Sequence, residues 1–415
     1  MNYSMGFGAG QLSFSLPDVN LLDELVPNEI EIELSGEAEV RRALSSPIGT
    51  PLLRDIVKPG ETVAIITSDI TRPLPSYVLL PSLLDELYAA GIKKEDITLV
   101  FALGSHRKHT EAEMIKLVGE RAFSEIRCID GDPTDCVHLG VTSRGTPVDI
   151  VREVATANRR IALGNIEYHY FAGYSGGNKA VMPGVSTRAA IQSNHSFMVK
   201  PEAAAGRLDG NPLREDIEEA AEFCPLDFLL NVVLDEHKKV IKAVAGHPIK
   251  AHREGCAFLD KLYQKPIAKR ADIVIVSQGG APKDLNLYQT QKALDNAKHA
   301  IKDGGVIILV GSCKEGLGES VFERWMTGYT PAQMIERIAE HFELGGHKAA
   351  AIALVLQKSD IYLVSDLEPD FVRSLHLTPF AGIQEALDAA MIKMGKDASV
   401  ILMPYGGSTL PSSQS

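Results

Sequence analysis

The chain has 415 residues, enough for two domains of ordinary size. It is 45% hydrophobic and 23% charged, and 42 Lys and Arg against 54 Asp and Glu leave a net charge of −12, which argues against nucleic acid or an anionic membrane as the main partner. Five cysteines without a Cys-x-x-Cys pair, an N-terminus without a basic start or apolar core, and no segment of the roughly 20 apolar residues that span a bilayer together predict a cytoplasmic protein with reduced thiols.

Residues 62–67 (TVAIIT) read as a buried strand, 79–90 as a helix and 97–102 (ITLVFA) as the next strand. A helix over 111–118 and a strand over 160–165 (RIALGN) follow. Residues 215–223 have helical spacing, and 226–235 with 240–245 read as a hairpin. The basic, proline-containing stretch 264–270 (QKPIAKR) marks a boundary. After it the pattern restarts, with strands over 272–277, 305–310, 361–364 and 399–403. Helices over 289–301, 331–342 and 383–393 alternate with them, and 408–415 read as a loose tail. This alternation predicts an α/β fold: two α/β domains, residues 1–266 and 271–415, with mainly parallel sheets facing each other across an active-site cleft.

Ligands of open α/β sheets sit beyond the carboxyl ends of the strands. Ser68-Asp69-Ile70-Thr71-Arg72-Pro73 follows the first strand, and Leu103-Gly104-Ser105-His106-Arg107 the second. The run HYFAGYSGGNKAVMPG, His169 to Gly184, follows the third. In the second half, Gln278-Gly279-Gly280 follows a strand and leads into Asn286, Tyr288, Gln289 and Lys292.

The glycine run is the most informative segment. Glycines let a backbone approach a ligand closely, and Lys179 ends the loop, with His169 ten residues before it and His195 sixteen after. It is not a phosphate-binding P-loop, which ends in Gly-Lys-Ser/Thr; here Asn178 precedes the lysine and Ala180 follows it. Asp69 suits a ribose hydroxyl, and Arg72 a carboxylate or phosphate clamped through two parallel hydrogen bonds. Of His106, His169 and His195, two suit an acid/base pair and one a metal ligand, since imidazole titrates near working pH. No thiolate is placed to complete a closed zinc site. Gln289 and Lys292, three apart, share a helical face near that helix's N-terminus, where an anionic group is favoured.

Together these segments resemble the lactate racemase family, which uses a nickel-pincer nucleotide. The resemblance rests on Ser68–Pro73, Gly104–Arg107, the whole His169–Gly184 run, the His-x9-Lys-x15-His spacing to His195, and the stretch from Gly279-Gly280 to Lys292. It implies a racemase or epimerase that inverts C2 of lactate or a related 2-hydroxy acid by reversible hydride transfer to the cofactor. By the same resemblance Lys179 joins the cofactor through a thioamide and His195 is the protein ligand to nickel. Asp69, Thr71, Gly173, Ser175, Gly176 and Gly177 would contact the nucleotide. His106 and His169 would be the acid/base pair, and Arg72, Gln289, Lys292 and Tyr288 would hold the substrate. The enzymes that make the cofactor would be transient partners. The alternative is a non-catalytic nickel- or nucleotide-binding protein, which would need Lys179 and His195 but not two further histidines. Trp325 receives no role.

Overall fold

The run Val63–Ser68 is buried along all but its last residue, as the centre of a sheet covered on both faces requires. It pairs in parallel with Ile97–Ala102 on one side and Arg159–Asn165 on the other. The full six-stranded order is Val240–Gly246, Phe228–Leu234, Arg159–Asn165, Val63–Ser68, Ile97–Ala102, Arg127–Asp130, and only the edge pair formed by the first two is antiparallel. The chain builds outward from Val63–Ser68 in one direction, then returns to its other side with Arg159–Asn165. Such a reversal of strand order is where α/β sheets bind ligands, beyond the carboxyl ends of the strands.

The computed structural model describes residues 1–104, 106–235 and 237–413, and its chain forms two units. The sheet just described belongs to Ile30–Asp260; the other unit combines Met1–Glu29 with Lys261–Ser415. The second unit holds six parallel strands in the order Thr378–Phe380, Asp360–Val364, Ile301–Val310, Ala271–Ser277, Val400–Met403, Leu21–Glu24. Both units are α/β with predominantly parallel sheets, as the alternation of elements predicts.

The contiguous division at 266/271 needs correction. The first 29 residues belong with the C-terminal half. Asn2–Phe7 and Gly10–Ser15 form a hairpin that buries Met5 and Phe14 in the core of the second sheet, and Leu21–Glu24 adds its edge strand. Nothing in the polar, glycine-containing N-terminus announces a partner more than 370 residues away. The loose tail is also corrected: Leu410–Ser413 pairs in parallel with Gln264–Ile267, inside the expected linker. Pro266 and Pro411, which lack an N–H, are tolerated because each strand has only one neighbour. The helix expected over 289–301 is Leu287–Ala297, and Ile301 already opens the next strand beside Ala271.

No helix among the described residues is long and apolar enough to cross a membrane. The five cysteines are free thiols; burial pushes that of Cys128 up to about 12. Trp325 is fully buried, with Nε1 donating to Glu343 Oε2 at 2.6 Å.

Asp272 ties the start of its strand to Ser399 and Lys302. Burial alone would raise its pKa, but Lys302 Nζ at 2.7 Å and the Ser399 hydroxyl and amide hold it down to about 2. A carboxyl depressed in the folded state stabilises it above the unfolded pKa of about 3.9 and loses that effect as pH falls through the folded value. Asp272→Asn is therefore expected to lower stability at neutral pH by about 1–3 kcal/mol, with the deficit vanishing as acid approaches the folded pKa. Urea unfolding at a series of pH values measures this; a deficit independent of pH would refute the electrostatic origin.

Candidate active site

Three loops at the carboxyl ends of the central strands carry the polar groups of the first unit. Asp69, one residue past Val63–Ser68, is 3% exposed. His106 Nδ1 donates to Asp69 Oδ2 at 2.6 Å, and Thr71 Oγ1 donates to Asp69 Oδ1 at 2.8 Å. Burial alone would raise the Asp69 pKa, but His106, Thr71 and the Arg72 charge outweigh it and hold the carboxyl below its ordinary value. Because Nδ1 of His106 carries a proton, Nε2 of the neutral ring carries the lone pair. Arg72 lies on the same turn and is exposed. Ser105, part of the expected motif, lies outside the described residues.

His169 sits in a short hairpin, Tyr168–His169 against Gly173–Tyr174. The Tyr168 and Tyr174 hydroxyls both donate to Asp260, at 2.7 and 2.8 Å, and so pin the hairpin. The Ala172 N–H donates to His169 Nδ1 at 3.4 Å. Gly173 is required here: its φ is +78°, and a Cβ would lie 2.1 Å from the Arg207 carbonyl oxygen.

The loop that follows is held from beneath. The Gly177 N–H donates to Asn231 Oδ1 at 2.8 Å, and Ser175 Oγ donates to the Asn165 carbonyl at 2.7 Å. His252 Nε2 donates to the Ser175 carbonyl at 2.8 Å; burial and the Arg214 charge push this imidazole down to about 3, so it stays neutral. Gly177, at φ +63°, passes so close that a Cβ would stand 2.9 Å from the His252 ring. Two groups expected to face a nucleotide, the Ser175 hydroxyl and the Gly177 amide, are thus engaged within the scaffold.

Lys179 emerges from this loop partly buried. Its pKa is lowered well below that of an ordinary lysine, first by desolvation and then by the positive charges of Arg214 and Arg72. Such an amine is held toward its neutral, nucleophilic form. Lys179 Nζ is 5.8 Å from the centre of the Phe171 ring. The same ring packs edge-on against His169 at 4.4 Å and His195 at 5.0 Å between centroids. Phe171 therefore gathers the three residues that the spacing singled out, a role that no sequence argument assigned to it.

His195 ends the helix Arg188–His195 and is 8% exposed. Its Nδ1 lies 3.1 Å from Asn194 Oδ1. Asn194 uses its amide nitrogen to donate to the Leu213 carbonyl and to Asp216 Oδ2, at 3.1 and 2.8 Å, so its oxygen faces the imidazole. His195 then donates from Nδ1 and presents Nε2 as the lone-pair nitrogen, the usual way an outer partner orients a metal-binding histidine. Among the described residues no group of three or more His, Cys, Asp or Glu could hold a metal ion by itself.

In the second unit, Tyr288, Gln289 and Lys292 lie on the helix Leu287–Ala297, capped by Asn286 Oδ1, which accepts the Gln289 N–H at 3.0 Å. Lys292 is exposed and Gln289 half-buried. Lys348, which sequence reasoning passed over, donates to the Tyr288 carbonyl at 2.5 Å and lies 4.0 Å above its ring centre. Arg214 and His252 were also missed, because they reach the glycine loop from helices distant in sequence and carry no local motif.

The geometry describes a two-domain α/β protein that carries oriented histidines and a desolvated lysine on loops beyond the strand ends of one sheet. The lactate racemase N-terminal domain model matches residues 7–206 and the C-terminal domain model residues 267–410. A lactate racemase from Thermoanaerobacterium thermosaccharolyticum is 34% identical over 422 residues, covering 99% of each chain. One from Lactiplantibacillus plantarum is 33% identical over 385 residues, covering 90% of each. The structure of the T. thermosaccharolyticum apoprotein aligns with a TM-score of 0.89 over 99% of this chain and 100% of that one. A Thermotoga maritima protein, 19% identical with a TM-score of 0.64 over 92% of this chain, shares the fold alone. This chain belongs to the lactate racemase family.

Proposed function

We propose that this protein is a 2-hydroxy acid racemase, with lactate the first substrate to test, working through a nickel-pincer nucleotide tethered to Lys179. The observation that carries this reading is the presence of two oriented imidazoles on loops beyond the strand ends. His106 donates from Nδ1 to Asp69 Oδ2, and the Ala172 N–H donates to His169 Nδ1. A neutral imidazole takes a hydroxyl proton and a protonated one gives it back, so inversion of a carbinol centre needs one ring in each state. The full-length relatives named as lactate racemases support the same substrate class.

The residues present fit the cofactor. A lysine amine kept toward neutrality suits a covalent tether, and a single oriented imidazole suits a metal that takes its remaining ligands from sulfur and carbon of the bound group. When bound, that group supplies the acceptor and donor of the C2 hydrogen as hydride. The chain does the rest. For one enantiomer neutral His106 would remove the hydroxyl proton, the planar 2-oxo acid would turn, and His169, entering as the imidazolium, would return a proton on the other side; for the mirror image the two protonation states exchange. Arg72 would hold the substrate by a bidentate clamp on its carboxylate, and on the other unit Tyr288, Gln289 and Lys292 are the residues proposed for substrate, Lys292 as a point charge. Asp69, Thr71 and the glycine loop at Gly173 and Gly176 would contact the nucleotide, the Ser175 hydroxyl and the Gly177 amide being engaged within the scaffold. The reading includes a cytoplasmic location and a transient dependence on cofactor-making enzymes.

The test is incubation of the cofactor-loaded protein with single enantiomers of lactate and other 2-hydroxy acids in D₂O. Optical purity is expected to decay while C2 hydrogen is largely retained, and the corresponding amides should stay unconverted. Rapid deuterium incorporation at C2 would overturn hydride transfer in favour of proton abstraction.

A further inference from the structure

His109 lies three residues beyond His106, and neither the motif nor the proposed mechanism uses it. Its side chain is closed to solvent, and Asp130 beside it is 8% exposed. The Ile70 N–H donates to His109 Nε2 at 3.0 Å, so that nitrogen carries no proton. Nδ1 must then be the donor, and it meets Asp130 Oδ1 at 2.6 Å. Asp130 Oδ2 accepts the His109 backbone N–H at 2.9 Å, which locks the carboxylate onto the residue it orients. The imidazole is thus held in one tautomer by partners at both ends.

The position of this ring in the sheet gives it a purpose. Asp130 ends the strand Arg127–Asp130, and Ile70 follows the strand Val63–Ser68. Between them runs Ile97–Ala102. His109 therefore bridges the end of the middle strand and links its two neighbours, with its ring 4.9 Å from that of Phe101 on the strand beneath. The peptide it holds is the one joining Asp69 to Ile70, and Asp69 is the residue that accepts the His106 Nδ1–H hydrogen bond. A ring that only filled space would need no acceptor aimed at Ile70 and no carboxylate behind it.

We infer that His109 and Asp130 are positioning residues that set the Asp69–His106 pair through the backbone of Ile70. Their effect on turnover rests on the acid/base role proposed for His106. The expected pattern separates the chemistry from the packing. His109→Leu keeps an apolar side chain over Phe101 but removes the acceptor; His109→Gln returns an acceptor oxygen near the Nε2 position.

The experiment uses full-length protein with ¹⁵N-labelled histidine, and follows the downfield Nδ1–H resonance of the His106–Asp69 hydrogen bond alongside kcat and KM of the loaded enzyme. His109→Leu should lose or broaden that resonance and lower kcat about 10–100-fold, the usual cost of removing an outer orienting partner, with KM little changed. His109→Gln should recover most of both. Asp130→Asn, which weakens the bridge without emptying the site, should shift the resonance and lower kcat by a smaller factor; it carries the test if His109→Leu does not fold. An unchanged resonance and kcat in either His109→Leu or Asp130→Asn overturns the inference. A lost resonance with undiminished kcat would leave the bridge standing and overturn the acid/base role of His106 instead.

Discussion

Lys179→Ala is expected to abolish covalent loading and all measurable racemisation. The amine leaves a glycine loop held rigidly from below by Asn231 and His252, and its pKa is lowered by desolvation and by the Arg214 and Arg72 charges. Lowering a lysine pKa raises the neutral fraction at neutral pH, and only the neutral amine is nucleophilic. Alanine at this position removes the nucleophile without touching the hydrogen bonds that shape the loop, so the fold should survive. Intact-protein and peptide mass spectrometry, on protein purified from cells that make the cofactor, reads the adduct directly. His195→Ala is the informative contrast: the adduct should remain while nickel occupancy, measured on the same sample, falls. Full activity with an unmodified Lys179 would sink the tether, and full nickel in His195→Ala would make His195 a structural histidine.

Replacing either His106 or His169 by alanine is expected to lower kcat by about 10²–10⁴-fold, the usual contribution of a positioned acid or base. That factor corresponds to about 2.7–5.5 kcal/mol of barrier. The loss must appear equally in kcat/KM for both directions, because two enantiomers have equal free energy and the enzyme cannot alter their equilibrium. Adduct and nickel content should stay near parental values in both variants, since neither ring is assigned to the tether or the metal. A variant that racemises at close to the parental rate would contradict a two-base reaction. Asp69→Asn is a milder probe of the same pair. It leaves an oxygen for the His106 Nδ1 proton but removes the negative charge that stabilises the protonated ring.

The alternation of apolar runs and amphipathic segments was sufficient to place both parallel sheets, because a strand buried on both faces must be apolar along its whole length. The residues of the glycine run were legible for a similar reason: His169, Lys179 and His195 lie within one stretch of chain, and glycines at positive φ tolerate few substitutes. Their gathering around one ring was not. Phe171 reads in sequence as another core aromatic, and its contacts with all three depend on how the hairpin, the loop and the helix Arg188–His195 return to one point. The partners that orient the site were still less visible. Asp69 and His106 stand 37 residues apart and Asn231 lies 54 from Gly177, and local periodicity carries no information about pairs at such separations. The N-terminal strand Leu21–Glu24 shows the same limit, since its place in the second sheet comes from edge-strand pairing across nearly the whole chain. Sequence by itself determined which residue types stand ready for chemistry and in what kind of sheet. Tertiary structure alone decided the orientation of His106 and His109, because each depends on a carboxylate brought close only when distant strand ends meet.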